Sequence, residues 1–183
     1  MEINIIYKDN DLLVVDKPAE VIVFSENKTD QKTLIELLLE KFPDFKNTGK
    51  SPRYGMIHRL DKDTSGLLLV AKNNETLFFL QEQFQKRKVI KKYIALVSGE
   101  IKNEKGEIDT LIGRGQKDRK KQKAYFPFEP DSAGKRKATT KYRVLERYYD
   151  KRENKYTLVE AMPLTGRKHQ LRVHFQYLNH PIA

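Results

Sequence analysis

Two stretches of the chain combine charged side chains with glycine and apolar residues in an order that could build a reactive site. Residues 55–66 contain His58, Arg59, Asp61 and Asp63, and residues 164–172 contain Gly166, Arg167, Lys168, His169 and Arg172. A positioned carboxylate can act as a base or a nucleophile, and a nearby arginine can keep it ionised or bind phosphate. We therefore take these two stretches together as the candidate site.

Asp61 lies in a polar loop directly before the apolar run of residues 66–71. A reactive group held at the end of a buried strand has a fixed geometry, which catalysis requires. The alternative is that His58, Arg59, Asp61 and Asp63 form ordinary ion pairs of a surface loop, which add little stability. The residue types alone leave both interpretations open.

The first half of the chain shows patterns typical of short strands and helices. Residues 3–16 predict a hairpin that turns at residues 8–11, and Thr33 with Glu36 predicts a capping box for a helix that stops before Pro43. Residues 45–53 predict a loop. Residues 66–71 predict a strand buried on both faces, followed by a helix capped by Asn74.

The second half is richer in strand patterns. Residues 89–97 predict a strand in which Tyr93 shares a face with Ala95 and Val97. Further strands are expected near residues 107–112, 138–145 and 156–162, and a last helix near Arg167 with Leu171, Phe175 and Leu178 facing the core. The predicted fold class is α+β, with a mixed, largely antiparallel sheet flanked by helices and loops.

Composition narrows the class of protein. The 183 residues suit a single domain, and the absence of cysteine excludes disulfides, thiolate metal sites and cysteine nucleophiles. The N-terminus lacks the pattern of a signal peptide, and apolar runs are far shorter than the roughly 20 residues that cross a membrane. We expect a cytoplasmic protein. A net charge of +11 favours a polyanionic partner without choosing between RNA and DNA.

A basic run extends over residues 114–123 and is followed by aromatic residues. Its cations are Arg114, Lys117, Arg119, Lys120, Lys121 and Lys123, and a second cluster, residues 135–137, is predicted to lie in a mobile loop. Such a run can neutralise phosphates, which supplies most of the nonspecific affinity for nucleic acid. The alternative is a solvated surface loop.

Taken together, the motifs resemble the RluA family of pseudouridine synthases. They are His58-Arg59-Leu60-Asp61 with Thr64-Ser65-Gly66, Tyr93 in Lys92-Tyr93-Ile94-Ala95, and Thr165-Gly166-Arg167-Lys168-His169-Gln170-Leu171-Arg172. The resemblance extends over nearly the whole chain, from Val14-Val15-Asp16-Lys17-Pro18 to His180-Pro181. It implies that a uridine in RNA is flipped out and that its uracil is rejoined to ribose through carbon 5.

The resemblance also implies roles for individual residues. Asp61 matches the essential aspartate, Tyr93 the active-site tyrosine and Arg167 the arginine that pairs with the aspartate. Arg59 matches the arginine that fills the space left by the flipped base. Further RNA contacts are expected from His58, Arg114, Arg119, Lys120, Lys121, Lys168 and Arg172, whereas His169, Gln170 and the Lys17-Pro18 turn are expected to be structural.

The implied partner is RNA, with ribosomal RNA as the first choice and transfer RNA as the second, and we expect a monomer that uses no metal or organic cofactor. Two rival functions stay open at this point. The chain could be a noncatalytic RNA-binding or ribosome-assembly factor on the same fold, or a hydrolase that depends on Asp61, such as a nucleosidase or nuclease. A hydrolase would release free base or cut RNA, whereas isomerisation leaves mass and chain length unchanged.

The sequence departs from the family pattern in two places. After Lys17-Pro18, Ala19-Glu20 stands where the family usually has glycine, and Phe24-Ser25-Glu26 stands where a histidine and a proline are common. These changes are expected to affect only a peripheral turn. Relatives also continue past His180-Pro181 into further strands, so we expect residues 1–183 to be one catalytic domain that is truncated at its C-terminus. No N-terminal accessory RNA-binding domain is expected.

Overall fold

The chain forms two compact units, Met1–Lys88 and Val89–Ala183. The structure is a computed structural model that describes residues 3–27, 29–115, 118, 121–126, 128–129 and 132–183. Helices and antiparallel strands occur in both units, which confirms the predicted α+β class. The strands are divided between two sheets, one in each unit. That the chain is a single catalytic domain stays a prediction.

The first unit contains a three-stranded antiparallel sheet. Its strands are β1 (Asn4–Lys8), β2 (Leu12–Lys17) and β3 (Gly66–Ala71), in that spatial order. The predicted β1–β2 hairpin is confirmed. Its turn is stabilised because the Asp9 carboxylate accepts hydrogen bonds from the backbone N–H groups of Asp11 at 2.8 Å and Leu12 at 2.7 Å.

Two α-helices and a 3-10 helix complete the first unit. Helix α1 (Leu34–Lys41) has the predicted capping box, and a 3-10 helix (Pro43–Asn47) follows it. The predicted loop is therefore wrong at its start, where the apolar ring of Phe45 is buried and the backbone turns to bury it. Helix α2 (Asn74–Gln85) is capped by Asn73 rather than Asn74, because the Asn73 side chain accepts from the Thr76 N–H.

Strand β3 has the predicted bounds but is buried on one face only. Leu68 and Val70 are fully buried, whereas Leu67 is 58% exposed. The expectation of burial on both faces was wrong because β3 belongs to a small antiparallel sheet, which can leave one face to solvent. Apolar composition alone did not distinguish the two cases.

The second unit contains a five-stranded antiparallel sheet. Its strands are β4 (Tyr93–Ser98), β5 (Lys105–Arg114), β6 (Gln122–Tyr125), β7 (Arg136–Tyr149) and β8 (Lys155–Pro163), in the spatial order β4-β8-β7-β5-β6. The strand predicted from residue 89 begins only at Tyr93. Strand β6 was missed within the basic run, and Arg136 and Lys137 belong to β7 rather than to a loop.

Helix α3 (Gln170–Tyr177) packs on this sheet and contributes the fully buried Phe175 to the core. The rings of Phe175 and Tyr142 meet edge to face, with centroids 6.0 Å apart. Leu171 and Leu178 pack against the same cluster, as predicted. The helix begins at Gln170 rather than near Arg167, because His169 adopts the left-handed conformation with φ of 55°. In the part of the chain that the structure describes, every helix is too short or too polar to cross a membrane.

Candidate active site

The loop that carries Asp61 is tied to strand β3 before it reaches the carboxylate. Ala71 donates its N–H to the Gly55 carbonyl at 2.9 Å, and Met56 forms a β-bridge with Val70. A Cβ at position 55 would lie 2.1 Å from the Ala71 carbonyl oxygen, so only glycine allows this approach. The start of the loop is therefore fixed by backbone contacts.

His58 fastens the next part of the loop. Its Nε2 accepts a hydrogen bond from the Leu69 N–H at 3.2 Å, and its ring stacks on Phe84 of α2 with centroids 4.9 Å apart. Both contacts bind His58 to its own unit, which favours a positioning role. Contact of His58 with RNA stays a prediction.

Asp61 lies half-buried in a tight turn after the buried side chain of Leu60. The Thr64 N–H donates to the Asp61 carbonyl at 3.1 Å and closes the turn. Gly66, with φ of 130°, then directs the chain into β3, a backbone conformation that other residues adopt only with strain. The carboxylate is thus partly exposed on a backbone that is held on both sides.

The buried side chain of Lys17 holds this turn through a hydrogen bond to its backbone. Lys17 has no exposed surface, and its Nζ donates to the carbonyls of Pro18 at 2.7 Å, Val21 at 2.9 Å and Lys62 at 2.9 Å. Burial lowers the pKa of Lys17, and the negative charges of Asp63 and Asp61 oppose that shift. The predicted supporting role of Lys17 is confirmed, and it extends to the residue that follows Asp61.

Arg59 lies against an aromatic ring that the sequence assigned to a peripheral turn. The guanidinium carbon of Arg59 is 5.1 Å from the ring centroid of Phe24, and that of Arg53 is 5.2 Å away. Phe24 is only 5% exposed. The expectation that this departure affects a peripheral turn only was therefore wrong, because Phe24 contacts a residue of the site motif. No spacing rule links positions 24 and 59.

In the second unit, Gln170 organises the backbone around Arg167. The Gln170 Oε1 accepts from the Arg167 N–H at 3.0 Å and the Thr165 hydroxyl at 2.8 Å. Its Nε2 donates to the Thr139 carbonyl and the Thr140 hydroxyl, both at 3.0 Å. The prediction that Gln170 satisfies loop backbone is confirmed.

His174, one turn along α3, extends this buried network. Its Nδ1 lies 2.8 Å from the Thr140 hydroxyl, and its Nε2 lies 3.2 Å from the Thr110 hydroxyl. Burial lowers the pKa of His174 to about 4, and the negative charge of Asp109 opposes the shift only in part. The imidazole is therefore neutral at physiological pH.

Arg167 and Tyr93, predicted to act beside Asp61, both belong to the second unit. Arg167 donates its Nε–H to the Lys137 carbonyl at 3.0 Å and precedes α3 rather than beginning it. Tyr93 begins β4 opposite Ala161 and packs against the core cluster. The pairing of Asp61 with Arg167 and Tyr93 joins residues of different units and stays a prediction.

The predicted basic run begins at the end of β5 and, after residues outside the described ranges, ends in β6. Arg114 ends β5, its carbonyl accepts from the buried Tyr125 hydroxyl at 2.7 Å, and Lys121 lies 3.8 Å from Asp118. Lys117, Arg119 and Lys120 lie outside the described residues. Lys123 and Lys135 place their ammonium groups 5.2 Å and 5.0 Å from the Tyr125 ring centroid, a basic cluster that extends the predicted run.

Lys168 is exposed on the turn before α3, and Arg172 is exposed on α3 itself.

Within the described residues, no group of three or more His, Asp or Glu side chains could hold a metal ion. The chemically distinctive features are thus a firmly held carboxylate loop in one unit and cationic surfaces in both.

Comparison with known proteins gives concordant matches. The family profile for RNA pseudouridylate synthase matches residues 11–177. An uncharacterized RNA pseudouridine synthase of Aquifex aeolicus is 42% identical over 180 residues, covering 98% of this chain and 54% of that protein. The ribosomal large subunit pseudouridine synthase D of Borreliella burgdorferi is 40% identical over 183 residues, covering 98% of this chain and 52% of that protein.

Among solved structures, human RNA pseudouridylate synthase domain containing 1 superposes with a TM-score of 0.80 at 31% identity. The match covers 99% of this chain and 67% of the human chain. This chain spans about half the length of the curated relatives that it matches.

Replacing Lys17 by methionine should destabilise the first unit. The change keeps the apolar stem but leaves three carbonyls without their donor, and we expect a loss of about 2–4 kcal/mol in the free energy of unfolding. Urea titration followed by circular dichroism measures it. Lys88→Met, at an exposed position, is the matched control and should change stability by less than about 0.5 kcal/mol. Equal stability of both variants would contradict the supporting role of Lys17.

Protonation of His174 should destabilise the second unit. The folded pKa of about 4 lies below the ordinary 6.5, so the unfolded chain binds the proton more tightly between these values. The contribution of neutral His174 to the free energy of unfolding is therefore fully present above about pH 6.5. It is lost as the pH drops towards 4, and the loss amounts to up to about 3 kcal/mol.

Unfolding free energies at about pH 7 and about pH 4.5 test this sign. His174→Gln should have a shallower pH dependence than the parent, because the glutamine side chain does not titrate. A parent-like slope in His174→Gln would show that another group causes the acid sensitivity.

Proposed function

The chain belongs to the RNA pseudouridylate synthase family, and from this membership we propose that it isomerises uridine to pseudouridine in RNA. In this reaction the bond between ribose C1′ and uracil N1 breaks and a bond between C1′ and C5 forms. The C5 proton is lost and a proton is gained at N1, so the mass does not change. The observation that carries the proposal is the family match over residues 11–177, which includes the Asp61 loop.

We propose Asp61 as the essential carboxylate of this reaction. The support comes from its placement: it is half-buried, on a turn fixed by the Lys17 ammonium through the Lys62 carbonyl. A reacting carboxylate must stay within about 0.5 Å of its working position, and anchoring the turn to a buried charge restricts its movement. Every version of the chemistry needs a negative oxygen near the sugar and base.

Tyr93 and Arg167 are proposed to complete the active site. An aromatic ring can lie against the flipped uracil, and a guanidinium near Asp61 could pair with its carboxylate through charge-assisted hydrogen bonds. The hydrogen bonds of Gln170 fix the backbone of Arg167, and β-pairing fixes that of Tyr93. These are the constraints that both roles demand.

Ribosomal RNA of the large subunit is the proposed substrate. Relatives from three bacteria that are 38–41% identical carry the name ribosomal large subunit pseudouridine synthase D. Transfer RNA is the second choice. Contacts to RNA are assigned to His58, Arg114, Arg119, Lys120, Lys121, Lys168 and Arg172, and Arg59 is proposed to fill the space left by the flipped base. We also propose that the protein acts in the cytoplasm as a monomer.

Asp61→Asn should abolish pseudouridine formation while leaving RNA binding within a few-fold of the parent. The amide keeps the shape of the side chain but removes the charge and the basic oxygen, so a loss of at least about 10³-fold is expected. An unmodified transcript of large-subunit ribosomal RNA is incubated with each protein. Pseudouridine is then located by chemical mapping.

Asp63→Asn is the matched control, since it removes an exposed carboxylate two positions further along the same loop. It should retain activity within a few-fold. Turnover by Asp61→Asn at the parent rate would show that the assignment of Asp61 is wrong. Tight binding without conversion by the parent would favour the noncatalytic RNA-binding alternative, and free uracil or cut RNA would favour the hydrolase.

A further inference from the structure

The ring of Phe24 is an aromatic platform beneath two arginines of the first unit. The guanidinium carbons of Arg59 and Arg53 lie 5.1 Å and 5.2 Å from its centroid, within the range of favourable cation–π contact. Arg53 is also paired with Glu26 at 2.8 Å. The ring thus joins the 21–26 segment to the loop that carries Asp61.

The segment that precedes Phe24 is rigid because its backbone carbonyls accept hydrogen bonds from the first turn of helix α1. The Leu34 N–H donates to the Ile22 carbonyl at 2.8 Å, and the Ile35 N–H donates to the Val23 carbonyl at 3.0 Å. These are donors that a helix N-terminus otherwise leaves without intrahelical partners. The side chains of Val23 and Phe24 are buried. The position of the Phe24 ring is therefore set by the core and by α1.

We propose that Phe24 is a positioning residue that orders the guanidinium of Arg59 for its action on RNA. This inference rests on the proposed function, in which Arg59 fills the space vacated by the flipped base. Stacking on a ring restricts a long, flexible side chain but uses none of its five N–H donors. Arg59 therefore meets the RNA already ordered and with its hydrogen-bonding capacity intact, which reduces the entropy lost in the flipped complex.

The proposal predicts that removing the Phe24 ring lowers the reaction rate because Arg59 is no longer ordered. Phe24→Leu keeps an apolar side chain of similar size but removes the ring face. We expect its single-turnover rate on the large-subunit ribosomal RNA transcript to fall by about two- to five-fold, the size of one such contact. Phe24→Tyr keeps the ring and should keep the rate.

Phe45→Leu is the matched control for loss of a buried ring. Phe45 lies in the same unit and its ring stacks on Phe42, with centroids 5.4 Å apart. This variant should leave the rate within the error of the parent at a temperature where all variants are folded. A loss in Phe45→Leu equal to that in Phe24→Leu would mean that general loosening of the unit, not positioning, causes the effect.

A double-mutant cycle identifies the residue through which Phe24 acts. In an Arg59→Ala background, Phe24→Leu should cause no further loss, whereas in an Arg53→Ala background the full loss should persist. An undiminished loss in the Arg59→Ala background would overturn the inference, as would a parent rate in Arg59→Ala alone. Failure of the proposed function has a different signature, since the parent protein would then make no pseudouridine in any RNA tested.

Discussion

The buried ammonium of Lys17 is the interaction on which the geometry of the Asp61 loop depends. A charge without exposed surface is costly unless donors and acceptors surround it, so the chain must bring carbonyls to it. Two of the three come from the adjoining segment, at Pro18 and Val21, and the third from Lys62, 45 residues further along. The buried Lys17 ammonium needs hydrogen-bond acceptors, and meeting that need fixes the position of the surface turn that contains Asp61 and Lys62.

In the second unit, buried neutral groups fix the backbone in a similar way, because they too must be hydrogen-bonded. The side-chain oxygen of Gln170 accepts two hydrogen bonds and its nitrogen donates two, so the full capacity of the amide is used. Threonines of β7 and of the loop after β8 supply three of the partners and the Arg167 N–H the fourth. His174 adds a further connection to β7 and one to β5. A network with every member satisfied is rigid. It fixes the backbone of Arg167, while the side chain bonds to Lys137.

Local patterns in the sequence predicted most of the elements but not the contacts that cross between them. The capping box of α1 and the bounds of β3 are each determined by a few neighbouring residues, and both were predicted correctly. Strand β6 was missed because its four residues lie in a run dominated by lysine, and only pairing with β5 makes them a strand. The exposed face of β3 depends on which elements pack on its sheet, which composition does not reveal.

The candidate site shows the same division between what is local and what is not. The proposal of Asp61, Arg59 and Arg167 as site residues came from motifs, whereas the contact of Arg59 with Phe24 spans 35 positions and follows no spacing rule. Such a contact forms only when α1 fixes one segment and β3 the other. The sequence alone therefore could not predict it.

The spacing of the His58-Arg59-Leu60-Asp61 motif itself has a structural reason. His58 and Leu60 are held inward, by a hydrogen bond from β3 and by burial, whereas Arg59 is exposed and Asp61 half-buried. Anchors therefore alternate with the residues proposed to meet RNA, as side chains do along an extended backbone. A reactive carboxylate on a loop needs exposure without freedom of movement. Placing each functional residue between two anchored ones gives both, and the Lys17 contact to the Lys62 carbonyl supplies the last anchor after Asp61.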